Sequence, residues 1–292
     1  MTAFLLIMGI LLPIFVVILL GIFYGRWAKP NFMPVNQLNL TVCTPLLIFC
    51  SFSAKDFDFN HFFILLPASL LVMLGSGILA WPCIKALKGN ARAILPTAMF
   101  NNAGYLGIPV GMMAFGSAGV GGFVLMFALS SILHVSLGAS IFGGQWQSRN
   151  LLKSPVTIAS FLGLGLGLLD WHLPDGLFAG LKMLGDVSVP LMLFSLGIRM
   201  SSVKWATLHK GLFGAILAPV TGLVMAYFAI RLLNLSPEMA AILWVYASLP
   251  PAILNFLLAE LYDQDPEQVA TVVLLGHVLS LGFIPLGLYL GL

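Results

Sequence analysis

The sequence predicts an all-α polytopic membrane protein with ten transmembrane helices. Of its 292 residues, 60% are hydrophobic and only 8% are charged, whereas about 25% of the residues of a typical soluble domain are charged. Apolar segments of about 20 residues, the length that crosses a bilayer, follow one another with short loops between them. We therefore expect neither a soluble domain nor a nucleic-acid-binding surface, because the net charge of +3 comes from basic residues dispersed over these loops.

The first span begins close to the N-terminus. No basic residues precede its apolar run, so we interpret it as a membrane span and not as a cleaved signal peptide. Its glycines, and those of the sixth span, are typical of close helix packing in membranes. We place the ten spans at residues 3–24, 34–53, 61–83, 92–114, 119–142, 155–171, 178–198, 210–232, 239–260 and 268–290.

Basic residues predict the orientation of the chain. With ten spans, the loops on one side carry ten lysines or arginines, and those on the other side carry three. The positive-inside rule assigns the richer side to the cytoplasm, so both termini are expected on the extracytoplasmic side. The ten residues are Arg26, Lys29, Lys85, Lys88, Arg92, Arg149, Lys153, Arg199, Lys204 and Lys210.

The two halves of the chain resemble each other in three places that keep the same order. Spans one, two and four match spans six, seven and nine, which predicts two five-helix repeats, 1–145 and 146–292. Because five is an odd number, the second repeat is inverted relative to the first. The matching segments are residues 12–21 with 154–163, 41–49 with 186–194, and 93–95 with 241–243.

Span four is predicted to be a broken helix. Residues 100–109 contain two adjacent asparagines, two glycines and a proline, and proline and glycine both weaken a helix interior. The repeat aligns Asn102 with Pro250, so a second break is expected in span nine. Irregular backbone at membrane depth is tolerated where it is buried in protein or lines a cavity. Inverted repeats with helices broken at matching positions indicate a secondary transporter whose site lies at the breaks.

Asparagine side chains are the first candidates for that site. Asn101 and Asn102 lie in the first break, and Asn255 follows the second. One interpretation is that these amides cap the freed backbone, and the other is that they bind a substrate or ion. Half-helix N-termini at the same place would favour a carboxylate. We expect at least one of the first two asparagines to contact the ligand.

Several residues are candidates for ion coupling. Asp186 falls about eight residues into span seven, roughly 12 Å deep, where an ionisable group is a functional candidate. It is either a proton carrier or an interfacial cap. Thr41, Thr44 and Ser188 either line the same cavity or bond back to their own helices. His277, like His134, lies within a span, where histidine relays protons or bonds to another helix.

Three motifs resemble the auxin efflux carrier family, and in particular its bacterial branch described as malate or malonate permeases. They are Pro-Leu-Leu-Ile-Phe of residues 45–49, Asn-Asn-Ala-Gly-Tyr-Leu-Gly-Ile-Pro of residues 101–109, and Pro-Leu-Met-Leu-Phe-Ser-Leu-Gly of residues 190–197. The short loop at residues 143–154 is similar to that branch, since several plant carriers have a long loop there.

The resemblance implies a fold similar to that of bile-acid and sodium–proton transporters, with spans one, two, six and seven as a scaffold and the others as a transport domain. It also implies an elevator mechanism, a homodimer formed through the scaffold helices, and a place in the bacterial inner membrane. A small organic anion would bind where spans four and nine cross. The residues expected to bind it or shape its site are Asn101, Asn102, Asn255, Gly104, Pro109, Pro250, Pro251 and Thr44.

The sequence contains no H-E-x-x-H, G-x-S-x-G or phosphate-binding motif, so we expect no enzyme, no metal centre and no cofactor beyond a coupling proton or sodium ion. Two alternatives stay open. A transporter-like protein that acts as a sensor or as a binding partner would bind without turnover. An intramembrane enzyme would depend on Asp186.

Overall fold

The computed structural model describes residues 2–55, 59–143, 154–201 and 211–291. The regular elements of these ranges are helices, and the one β-type pairing is a single bridge between Asn101 and Pro251. Arg149, Lys153, Lys204, Lys210 and the predicted repeat boundary lie outside the described residues. The helices are α1 (Thr2–Ala28), α2 (Met33–Phe52), α3 (Phe59–Phe62), α4 (Leu65–Ala86), α5 (Ala91–Met99), α6 (Ala103–Gly116), α7 (Gly119–Ile141), α8 (Pro155–Leu168), α9 (Asp175–Ser201), α10 (Leu212–Leu233), α11 (Pro237–Ser248), α12 (Leu254–Leu261) and α13 (Pro266–Gly291).

Seven of the described helices are long and apolar enough to cross a membrane: α1, α2, α4, α7, α9, α10 and α13. Each coincides with a predicted span. The predicted sixth span is shorter than expected, since α8 ends at Leu168 after 14 residues. The predicted fourth and ninth spans are each divided into two shorter helices, α5 with α6 and α11 with α12.

One group of helices packs through glycines. α1 lies along α9, where a Cβ at Gly21 would meet the carbonyl oxygen of Phe194 and a Cβ at Gly197 would meet that of Ile18. α2 packs on both α8 and α9. Its second turn widens to a π-helix at Asn39–Cys43, directly before Pro45, which has no N–H to donate.

A second group surrounds the two broken segments. α4 packs on α10, and α10 and α11 pack on α13. Their contacting faces form most of the hydrophobic core, whereas large apolar side chains on the outer faces are exposed, as lipid-facing side chains are. Examples from the second group are Ile78, Leu232 and Tyr289, and examples from the first group are Trp27 and Met183; each is between 64% and 77% exposed.

Candidate functional site

The first break lies between α5 and α6. α5 ends at Met99, and Phe100 is extended, with φ −109° and ψ 100°. Asn102 then caps α6, because its Oδ1 accepts a hydrogen bond of 3.1 Å from the N–H of Tyr105. The first turn of α6 is a π-helix, Ala103–Gly107, two residues before Pro109. The break therefore falls where the asparagines, glycines and proline of this segment predicted it.

The second break lies between α11 and α12. α11 ends at Ser248, and Leu249 is extended, with φ −66° and ψ 147°. An extended conformation is the one that a residue preceding proline prefers, and Pro250 and Pro251 follow. α12 begins at Leu254. The predicted break in span nine is thus present as well.

The two breaks lie against each other and exchange backbone hydrogen bonds. The N–H of Asn102 donates to the carbonyl of Pro250 at 2.7 Å, and the N–H of Ala252 donates to that of Phe100 at 2.9 Å. This pairing satisfies backbone groups that a continuous helix would have bonded internally, as a buried position in a membrane requires. We call this junction, residues 100–102 and 249–253, the crossover.

Each break also bonds to a histidine of a neighbouring helix. Asn102 Nδ2 lies 2.8 Å from Nε2 of His277 on α13, and Asn255 Oδ1 lies 3.0 Å from Nε2 of His134 on α7. All four side chains are buried. His134 also stacks on Phe100, with ring centroids 4.3 Å apart. The sequence placed both histidines within spans, but it did not indicate that they bond to the asparagines of the breaks.

Asn255 makes two further contacts. Its Nδ2 donates to the carbonyl of Phe100 and to that of Ala252, both at 3.0 Å. Because carbonyls only accept, these bonds fix the amide so that Oδ1 faces His134. Asn102 and Asn255 therefore hold the crossover together, which favours the capping interpretation for these two residues in this conformation.

Asn101 is the crossover asparagine whose side chain has an atom without a hydrogen-bond partner among the described residues. Its Nδ2 donates to the backbone carbonyl of Tyr246 at 2.7 Å, while its Oδ1 has no hydrogen-bond partner among the described residues. The hydroxyl of Tyr246 lies beside Asn101 and Ser130 and likewise has no partner within that part of the chain. Tyr246 is only 1% exposed. Buried polar atoms are rarely left without partners, so these two oxygens are a candidate position for a ligand. The sequence did not single out Tyr246.

The small and rigid residues of the motif permit the close packing. A Cβ at Gly104 would stand 2.6 Å from the ring of Phe127, and one at Gly107 would stand 2.8 Å from Leu249. On α13, a Cβ at Gly276 would stand 2.5 Å from Cδ of Pro251. A side chain at Gly104 or Gly107 would force Phe127 or Leu249 to shift, and one at Gly276 would press on the ring of Pro251 in the crossover.

The threonine and serine candidates lie in the first group of helices, on α2 and α9, and no hydrogen bond among the described residues joins them to the crossover asparagines. Thr44 Oγ1 and Ser188 Oγ are both buried and lie 2.9 Å apart, so they join α2 to α9. Thr41 is exposed and donates to the carbonyl of Gln37, four residues earlier in its own helix, at 2.8 Å. Thr41 therefore bonds back to its own helix, as one of the two alternatives predicted, whereas Thr44 and Ser188 connect two packed helices.

The structure does not bring Asp186 to the crossover either. The side chain is 46% exposed and pairs with Lys182 at 2.8 Å, one helical turn earlier. Its half of α9 packs on α2. The acidic residues that the structure describes are all exposed, and among these residues no group of histidine, cysteine and acidic side chains is arranged to hold a metal ion.

Comparisons with known proteins match this architecture to transporters. The model of the family described as membrane transport protein matches residues 145–288. An uncharacterized transporter of Methanothermobacter thermautotrophicus is 28% identical, over 94% of this chain and 95% of its own length. An uncharacterized transporter of Methanocaldococcus jannaschii is 24% identical over the same shares.

Plant proteins match over about half of the chain. Auxin efflux carrier component 6 of Arabidopsis thaliana is 27% identical over 52% of this chain, which corresponds to 27% of the plant protein. These matches confirm the resemblance that the three motifs predicted. Together with the apolar helices, they indicate a multi-pass membrane protein.

Proposed function

We propose that this chain is a membrane transporter, similar to the auxin efflux carriers, that moves a small organic anion by secondary transport. The observation that carries the proposal is the crossover itself. Two broken helices meet there, and α6 and α12 both begin at this point, so their positive dipole ends converge on it. The part of α9 that carries Arg199 packs on the first turn of α6, which places a positive charge on a helix next to the crossover.

The free atoms at the crossover favour one kind of anion. The Tyr246 hydroxyl is a donor suited to a carboxylate, whereas Asn101 Oδ1 is an acceptor that requires a donor from the substrate. A hydroxyl beside a carboxylate supplies both groups. We therefore expect malate to be preferred over succinate, which has the same carbon skeleton without the hydroxyl, and over malonate.

The helices also support a ten-span architecture. The seven long helices, α8 and the two broken segments together amount to ten crossings. The first packing group contains α1, α2, α8 and α9, the helices assigned to the scaffold, and the second contains the remaining long helices. We propose that these groups are the scaffold and the transport domain of two inverted repeats, and that the crossover travels with the transport domain in an elevator movement.

The exposed apolar faces of α1, α8 and α9 are compatible with a homodimer through the scaffold helices. The distribution of basic residues supports extracytoplasmic termini. The bacterial branch that the motifs resemble supports a place in the inner membrane. These three features remain proposals, and none of them is needed for the substrate site described above.

Counterflow in proteoliposomes tests the proposed site. Vesicles loaded with malate, malonate, succinate or indole-3-acetate would be assayed for uptake of the labelled compound. Tyr246→Phe removes a hydroxyl that lies beside Asn101 and Ser130 but makes no hydrogen bond of ordinary geometry among the described residues, so the fold should be little affected while the KM for malate rises. A hydrogen bond to a charged group is worth about 1.5–3 kcal/mol, which corresponds to a rise in KM of about 10- to 150-fold.

Tyr227→Phe is the matched control, because Tyr227 is 49% exposed on α10. It should leave the KM unchanged. If both variants transport malate with the wild-type KM, the site does not lie at Tyr246. If folded wild-type protein exchanges none of the four acids, the proposal of a carboxylate substrate is wrong.

A further inference from the structure

His277 occupies a position from which a proton can control the crossover. Its Nδ1 lies 2.7 Å from the carbonyl of Val273, one turn earlier on α13. A carbonyl only accepts, so Nδ1 carries the hydrogen. Its Nε2 faces Nδ2 of Asn102 at 2.8 Å, and Nδ2 only donates. His277 is therefore a neutral imidazole whose lone pair at Nε2 accepts the hydrogen bond from Asn102.

His134 has the opposite arrangement. It faces Oδ1 of Asn255 at 3.0 Å, and the orientation of that amide is fixed by two carbonyl contacts of Nδ2. An amide oxygen only accepts, so Nε2 of His134 carries the hydrogen. A proton added to His134 at its other nitrogen leaves the bond to Asn255 intact, whereas a proton added to His277 at Nε2 places two donors against each other.

We propose that His277 is the proton-binding residue of this transporter, and that a proton on its Nε2 releases the side chain of Asn102 for the substrate. The inference rests on the proposed transport function and adds the coupling ion to it. The step forms one N–H bond with a proton from solution. The imidazolium then presents Nε2–H, and the released Asn102 amide presents Nδ2–H, toward the break, so a carboxylate gains two donors and a positive charge. The proton and the anion therefore bind together and move together.

The surroundings of His277 contain no other group that takes this role. The charged residues on the described helices packed against α13 are exposed. Tyr246 is the buried titratable group on these helices, and it is a donor when neutral. The helices packed against α13 are α1, α5, α10, α11 and α12. Besides His277, the titratable and charged residues on these helices, on α13 itself and on the first turn of α6 are Arg92, Tyr227, Arg231, Glu238, Tyr246, Glu260, Tyr24, Arg26, Glu267, Tyr289 and Tyr105.

The charge balance explains why a histidine is needed. The acidic side chains of the described chain are exposed, so the crossover has no carboxylate to hold a sodium ion or a proton. An anion that enters this buried junction is stabilised if an opposite charge arrives with it. Protonation of His277 supplies that charge only when the anion is present, so transport of the anion depends on transport of the proton.

Malate uptake driven by an imposed pH gradient tests the inference, with His277→Gln and His134→Gln as a matched pair. Glutamine at 277 can accept from Asn102 but cannot bind a proton. We expect His277→Gln to lose accumulation driven by a gradient that is acidic on the entry side, and to exchange malate at equal pH with a raised KM, because the anion then meets neither the positive charge nor a released Asn102 amide. His134→Gln should keep a gradient response like that of the wild type. Accumulation by His277→Gln at the wild-type level, or equal loss in both variants, would overturn the inference.

A second measurement does not depend on the variants being active. Histidine labelled with ¹⁵N distinguishes the two tautomers in wild-type protein in nanodiscs, and the signal missing from each variant assigns the residues. We expect Nδ1–H at His277, Nε2–H at His134, and a second proton at His277 when malate is added. If malate binds while His277 stays neutral, the coupling is refuted and the substrate site is not. If malate exchanges in no preparation, the proposed function fails first.

Discussion

Replacing Asn255 with alanine tests whether the crossover is held by its asparagines. The side chain is fully buried, at 0% exposure, and makes three hydrogen bonds of 3.0 Å. After the substitution, the carbonyls of Phe100 and Ala252 each keep one hydrogen bond. Phe100 O still accepts from the N–H of Ala252, and Ala252 O still accepts from the backbone N–H of residue 255. His134 Nε2–H loses its acceptor. One orphaned buried donor costs about 1–3 kcal/mol, and interhelical bonds in membranes measure about 0.6 to 1.7 kcal/mol.

We therefore expect Asn255→Ala to lower the free energy of unfolding by about 2 kcal/mol, within these ranges. In domains of 150–250 residues this corresponds to about 4–8 °C in Tm, measured as the loss of the monodisperse peak after heating in detergent. The matched control is Asn39→Ala. Asn39 is also buried, at 1% exposure, but makes a single long contact of 3.5 Å to Ser188 O, and its Oδ1 is unpartnered within the described chain.

The control should shift the Tm by less than half as much, because a contact of 3.5 Å contributes little and the mutation also removes an unpaired oxygen. If Asn39→Ala is destabilised as much as Asn255→Ala, the cross-bonding at the breaks does not stabilise the crossover. A wild-type Tm for Asn255→Ala would contradict the reasoning even more directly.

Two further substitutions follow from the same geometry. Gly276→Leu should abolish transport and lower the Tm, because the new Cβ alone would stand 2.5 Å from Pro251. Gly282→Leu on the same helix is the control and should transport normally, because a Cβ there has no neighbour within 4 Å. Equal activity of the two variants would count against the packing argument. Asp186→Asn should retain transport and its pH-gradient response within about twofold. Exposed ion pairs such as that with Lys182 contribute about 0–1 kcal/mol. Loss of the gradient response in this variant would transfer the coupling role from His277 to Asp186.

The helical breaks could be predicted from the sequence because their causes are local. Asn102 is a helix N-cap by residue type, and Pro109 and Pro250 remove backbone donors wherever they stand. Seven spans could be predicted because length and apolarity are also local properties. The shorter α8 was not predicted, since hydropathy continues past Leu168 and the helix end there depends on the turn that follows.

The partners of the asparagines could not be predicted, because they depend on how distant helices are arranged in space. Asn102 and His277 are separated by 175 positions, and Asn255 and His134 by 121. Sequence alone places both histidines within spans, but it does not say that each histidine bonds to an asparagine in the other half of the chain. For Asp186 a usable local signal was present, since Lys182 stands four residues earlier, the spacing of an exposed helical ion pair.

The asparagines that make the motif recognisable in the sequence are not all available to bind a ligand in this conformation. Asn102 and Asn255 have their hydrogen-bonding groups committed to the crossover, so neither binds a substrate until one of its bonds is released. Asn101 and Tyr246 have buried oxygens for which the described part of the chain provides no hydrogen bond of ordinary geometry. A protonated His277 would add Asn102 to them and leave Asn255 bonded to His134. The two halves of the crossover would then differ in function although they are built alike: the break in span nine would stay fixed, and the break in span four would open to the proton and the anion together.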